Sequence, residues 1–251
     1  MTLKSLSFRS RLNLNQQRIS EVTNLEPVLP ELMALPLFAE IPQSKLLGLC
    51  TGASVQVNRH REVLFSAGDA ALSFGVVLNG AYKLCRPSPM GEDVIMHFST
   101  PGDIIAAGVM SKPGAAYPVS AISMGASRFL KIPRAQFLEV WTKDHELMLR
   151  VQSYISTRMV ALQDQKIMGR APLNQKIAAL LMNLLEKNHG EEALTLPLPL
   201  TRKEIADTLG ASVESVIRVM SEWSKLGLIQ TTDQNIKVLR LAKIIEILKN
   251  G

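Results

Sequence analysis

Only two cysteines, Cys50 and Cys85, occur in 251 residues. They form no C-x-x-C pair, which excludes a disulfide-framed fold and points to a reducing compartment such as the cytoplasm. No apolar run reaches the roughly 18 residues that span a bilayer, so an integral membrane protein is excluded. The N-terminus has no apolar core ahead of a small-residue cleavage site, which argues against a secretory signal. The histidines His60, His97, His145 and His189 show neither H-x-H nor H-E-x-x-H spacing. There is no Gly-rich phosphate loop and no G-x-S-x-G elbow. No enzyme is expected.

What is present is a globular composition, 47% apolar and 20% charged, with material for a core and room for one large or two modest domains. The net charge of +6 suits a polyanionic partner. It is not localised: residues 1–30 carry four basic and two acidic side chains, 31–170 fourteen and eleven, 171–251 ten and nine. Motifs must therefore say which part meets that partner. Residues 1–20 hold four Lys or Arg, four Ser and no acid, a composition that a transit peptide can share. Residues 1–30 read as a flexible basic extension.

Short β-rich runs come next, among them Glu62–Phe65, Phe74–Leu78 and Val94–Phe98, separated by Gly68-Asp69, Asn79-Gly80, Met90-Gly91-Glu92 and Pro101-Gly102-Asp103. Strands at this spacing predict a sandwich or barrel. From Arg134 the period becomes helical. Leu147, Val151, Ile155, Met159 and Leu162 form a stripe in a stretch free of proline and glycine between Pro133 and Gly169. A helix of that length with an apolar stripe needs a partner surface, and a second copy is the simplest. A helical segment from Leu173 to Leu185 is bounded by Pro172 and by Asn188-His189-Gly190, and Leu194–Leu200 reads as extended.

The most informative segment runs from Thr201 to Met220. Thr201 and Glu204 have capping-box spacing, Gly210 suits a helix end and Ser212 suits the next helix start. Ile205, Ala206 and Leu209 face a core, as do Val216, Val219, Met220 and Trp223 at i, i+3, i+4, i+7. Two helices joined by a three-residue turn make a helix-turn-helix. The outward face of its second helix carries Val213, Glu214, Ile217, Arg218 and Ser221. Glu can accept from cytosine N4 and Arg can bond guanine O6 and N7; an i,i+4 ion pair is the alternative use of the same two residues. Thr201, Arg202, Lys203, Ser212 and Ser215 are candidate phosphate contacts. Leu226–Gln230, Thr231–Asn235 and Ile236–Leu239 predict a hairpin, hence a winged helix-turn-helix.

Over residues 31–245 the chain resembles the cyclic-AMP receptor and fumarate–nitrate regulator (Crp/Fnr) family of bacterial transcription factors. Leu200–Ala206 with Val213–Arg218 carries the likeness most specifically. The resemblance implies an α+β fold: an N-terminal jelly-roll-like β-roll (a double-stranded β-helix) over residues 31–135, a dimerisation helix and hinge over 136–170, and a winged helix-turn-helix over 171–251. It implies that Glu214 and Arg218 read base pairs in a near-palindromic duplex, that the homodimer forms through 144–168, and that an activator would also contact RNA polymerase, with Lys187–Ala193 as the corresponding loop. Val213, directly before the Glu, is similar to the fumarate–nitrate type. Ile217 replaces that type's Ser, and it could contact a thymine methyl instead.

The sensor half departs from the family. Positions that hold ribose and phosphate in cyclic-nucleotide binders align with Ala107 and with Tyr117-Pro118. A phosphate would find no guanidinium there, so tight cyclic AMP binding is not expected. Two cysteines cannot supply the four ligands of a [4Fe–4S] cluster. Haem ligated by His97 or Cys85, and a thiol sensor at Cys85 near Lys83 and Arg86, stay open, although an ordinary strand position is the favoured reading of each residue. His60, between Arg59 and Arg61, reads as a solvated turn residue. A small-molecule or haem sensor acting through protein contacts is the alternative function.

Overall fold

The structure, a computed structural model, describes residues 25–88, 93–186 and 194–250. Residues 1–24, the turn at Met90-Gly91-Glu92, the helix stop at Asn188-His189-Gly190 with His189, and the loop Lys187–Ala193 lie outside these.

Among the described residues, eight strands build the roll: β1 (Ser54–Asn58), β2 (Val63–Phe65), β3 (Ser73–Asn79), β4 (Tyr82–Pro87), β5 (Asp93–Ser99), β6 (Ile104–Ile105), β7 (Ser120–Ser123) and β8 (Ser127–Pro133). They pair antiparallel in two four-stranded sheets, ordered β1-β8-β3-β6 and β2-β7-β4-β5. The expected runs at 62–65, 74–78 and 94–98 fall on β2, β3 and β5, with Glu62 just outside β2. Asn79-Gly80 joins β3 to β4, and Gly80 takes φ +74°, a conformation that L side chains rarely adopt. Val77, Tyr82, Ile105 and Phe129 pack together as one buried cluster within the roll.

A second cluster joins the other face of β3 to the segments flanking the roll. Trp141 is fully buried, with its ring edge-on to Phe74 at 4.7 Å and to Phe38 at 6.0 Å. Its indole N–H donates to the Leu49 carbonyl at 2.8 Å. Helices α1 (Leu29–Met33) and α2 (Gln43–Leu49) belong to this cluster. The expected extension over 1–30 is therefore too long: Leu25, Val28 and Leu29 are buried in the roll's core, because their apolar side chains join a cluster built from distant segments that include Leu46, Trp141 and Val151. The boundary at 135 also moves. Helix α3 (Arg134–Glu139) places Phe137 in the same core, and the long helix α4 (His145–Met168) starts ten residues later than the expected boundary at 135. Asp144 caps it by accepting from the Leu147 N–H at 3.1 Å.

Helix α4 uses the predicted stripe in two ways. Leu147 and Val151 are buried against the roll, whereas Ile155, Met159 and Leu162 are 37%, 58% and 49% exposed. A polar knot marks the change. The Asp103 carboxylate accepts from Tyr154 Oη at 3.1 Å and Arg158 Nη2 at 3.0 Å, and from the Thr100 N–H at 2.9 Å. Arg158 Nε donates to the Tyr154 oxygen at 3.2 Å. Burial, then the Asp103 charge, pushes the Tyr154 phenol up, so it keeps the proton it donates.

After Pro172 come α5 (Leu173–Leu185), α6 (Arg202–Leu209), α7 (Val213–Lys225), the hairpin β9 (Ile229–Thr232) and β10 (Asn235–Val238), and α8 (Leu241–Asn250). The hairpin turn is two residues, Asp233 and Gln234, both at positive φ, and is tighter than the expected 231–235 loop. The extended 194–200 segment runs beside β10: Leu196 N–H donates to Ile236 O, and Val238 N–H to Leu194 O.

Replacing Tyr154 by Phe leaves the half-buried Asp103 carboxylate one donor short. It should cost about 1–3 kcal/mol, read as a lower urea midpoint at unchanged slope. An unchanged midpoint would show that water replaces the hydroxyl.

Candidate nucleic-acid interface

The two helices of the motif are shaped by side chains predicted for that purpose. Thr201 Oγ1 accepts from the Glu204 N–H at 3.1 Å, and Glu204 Oε2 accepts from the Thr201 N–H at 3.0 Å, a complete capping box. Gly210 ends α6 at φ +63°, the left-handed conformation its position required. Ser212 caps α7 by accepting from the Ser215 N–H at 3.2 Å. Ile205, Ala206, Val216, Met220 and Trp223 are buried together. Leu209 and Val219 are half-buried at the margin of that core rather than inside it.

Core packing on one side of α7 leaves the other side open. Glu214, Ile217, Arg218 and Ser221 are exposed. Neither Glu214 nor Arg218 has an ion pair or side-chain hydrogen bond to another described residue, so the one-turn ion pair between them is not formed here. Val213 departs from the expected open face: it is half-buried and packs against the domain core. A helix N-terminus with Glu and Arg one turn apart, both unengaged, has the chemistry to enter a major groove and meet base edges.

The candidate phosphate contacts divide. The Thr201 hydroxyl donates to Glu204 Oε2 at 2.8 Å and is committed to the cap, so it has no proton left for a phosphate. Ser212 Oγ and Ser215 Oγ lie 3.0 Å apart on the exposed turn. Lys203 is exposed and pairs with Asp207 one turn on. Arg202 is half-buried, donating to Thr231 Oγ1 on β9 at 3.0 Å; burial holds its guanidinium below its ordinary value. Arg202 thus ties the wing to the motif. This tie was not legible in the sequence, where nothing links residues 202 and 231.

The effector-pocket residues do not line an open cradle. Tyr117 is buried, its ring stacked on Phe65 at 4.0 Å, and its hydroxyl donates to the Ser73 carbonyl at 2.8 Å. Ala107 is buried in the same core cluster, while Pro118 lies on the surface. His60 is exposed and His97 half-buried on β5. Cys85 is buried among Ala81, Ile95 and Phe98, and burial pushes its thiol up to about 11. That is the opposite of what a reactive thiol needs, and a porphyrin on Cys85 would have to displace this packing. Among the described residues no cluster of three His, Cys, Asp or Glu could hold a metal ion.

Two family models match the chain: the Crp-like helix-turn-helix domain over residues 175–247 and the cyclic nucleotide-binding domain over 56–144. The transcriptional activatory protein AadR of Rhodopseudomonas palustris is 30% identical over 182 residues, 71% of this chain and 74% of that protein. The nitrogen fixation regulation protein FixK of Bradyrhizobium diazoefficiens is 30% identical over 192 residues, 73% and 77% of the two chains. The solved structure of FixK2 from Bradyrhizobium japonicum aligns over 78% of this chain and 96% of its own, with a TM-score of 0.68 at 18% identity. With the two domains in this order and an open recognition helix between core and wing, the chain belongs to the Crp/Fnr family of DNA-binding transcription regulators.

Proposed function

We propose that the protein is a homodimeric, sequence-specific transcription activator of the cytoplasm that works without cyclic AMP, haem or an iron–sulfur cluster and catalyses no reaction. The open Glu214–Arg218 face carries the reading. Glu214, Arg218 and Ile217 meet base edges, while Lys203 and Ser215 meet phosphates; Val213 supports the helix from beneath. Activation is the role given in the name of the relative AadR, and contact with RNA polymerase is the usual route to it. No described helix is long and apolar enough to cross a membrane.

The dimer reading is supported by α4. Met159, Val160, Leu162 and Ile167 are 49–73% exposed on a helix whose first turns are buried, and a second copy of the same helix offers them a matching apolar face. Independence from cyclic AMP is supported by Tyr117, whose ring and hydroxyl already have partners where a phosphate would need a guanidinium.

Selection of random duplexes by the purified protein should return a near-palindrome with half-sites one helical turn apart. Arg218→Ala should then cost about 1–3 kcal/mol and relax choice at one base pair; equal loss on all sequences would reduce Arg218 to a phosphate contact. Met159→Glu with Leu162→Glu should sediment at the protomer mass and lose the palindrome. An unchanged dimer would place the interface elsewhere. Calorimetry with cyclic AMP should show no micromolar binding, and a micromolar constant would overturn the sensor reading.

A further inference from the structure

Along β4 and part of β5 the sheet β2-β7-β4-β5 carries buried side chains on both faces. Tyr82 and Leu84 belong to the cluster within the roll. Ala81, Cys85, Ile95, Phe98 and Met124 instead belong to the core of the DNA-binding domain, where each is at most 4% exposed beside Ile205 and Ala206. An antiparallel sheet with one face on its core ordinarily turns the other to water. Here that second face is apolar, and α6 packs on β5.

A polar contact between described residues closes this seam. Lys83 Nζ on β4 lies 2.9 Å from Glu204 Oε1 on α6, with 21% and 13% of the two side chains exposed. Glu204 is also the carboxylate that completes the capping box through its other oxygen. The group that shapes the start of the helix-turn-helix is therefore the group the roll holds. In this pose Glu214, Ile217 and Arg218 remain open.

We propose that the outer face of β4 and β5, closed by Lys83, is the roll's docking surface for its own DNA-binding domain, and that Lys83 is a positioning residue for DNA recognition. A dimer that must present two recognition helices about 34 Å apart loses affinity if each domain has to be ordered on binding; a docked domain has met that cost beforehand. The positioning role rests on the DNA-binding reading. The docking itself does not.

The test uses the full-length protein with Lys83→Met, which keeps most of the side chain's length and removes its charge, and Lys83→Arg, which keeps the charge. Amide hydrogen exchange without DNA reports the docking. Lys83→Met should raise exchange over 81–88, 93–99 and 202–211 while 216–223, in the domain's own core, stays protected. On DNA it should lose about tenfold on the selected palindrome and nothing on a single half-site, and Lys83→Arg should restore most of the loss. Unchanged exchange on both sides of the seam would overturn the docking. Unchanged or tighter palindrome binding would overturn the positioning role, tighter binding marking the docked pose as inhibitory. If the wild type selects no DNA at all, the functional reading fails, while the exchange result still decides the docking.

Discussion

A half-buried carboxylate must be satisfied where it stands, because a charge taken out of water without partners costs several kcal/mol. Glu204 is in that position. Burial by itself would raise its carboxyl; the Thr201 N–H, the Lys83 ammonium and the Thr201 hydroxyl outweigh burial and hold it below the ordinary carboxylate value. Two of these donors come from the residue that starts α6, and the third comes from the roll. The helix start and the attitude of the whole domain are thereby tied to one group. The placement of α7, four residues beyond the end of α6, inherits both.

Helix α4 faces a different constraint. Its apolar stripe is longer than the roll can cover. The roll takes Leu147 and Val151, and the Asp103–Tyr154–Arg158 knot fixes the helix where that contact ends. Beyond the knot the stripe continues in the open. The turn that carries Asp103 is thus anchored to the helix just before its uncovered part, which gives the roll a rigid connection to that surface.

The interior of the roll is filled by its own side chains. Tyr117 stacks on Phe65 and bonds Ser73, so its ring and its hydroxyl both serve the core. A bulky aromatic ring with its hydroxyl satisfied is a stable filling.

The helix-turn-helix was legible in the sequence because its determinants are local. A cap, a glycine at positive φ and an apolar period each act within a few residues, and Thr201, Gly210, Ser212 and the Val216–Trp223 face all behave as their types require. The strand runs, the helical stretch after Pro133 and the open Glu214–Arg218 face were legible for the same reason. What depended on distant partners was not. Leu25–Leu29 looked like tail because the surface they cover is made by residues elsewhere in the chain. Val213 looked exposed because period alone does not say where a domain's core ends. The turn of the wing proved tighter, and α8, which closes the domain through buried Ile244, was not legible at all. Tyr117 beside Phe65, Arg202 beside Thr231 and Lys83 beside Glu204 are pairs 52, 29 and 121 positions apart. Nothing in local propensity encodes such pairs; only the packing of sheets and domains brings them together, and that packing decided which candidate residues are open to a partner and which are already used.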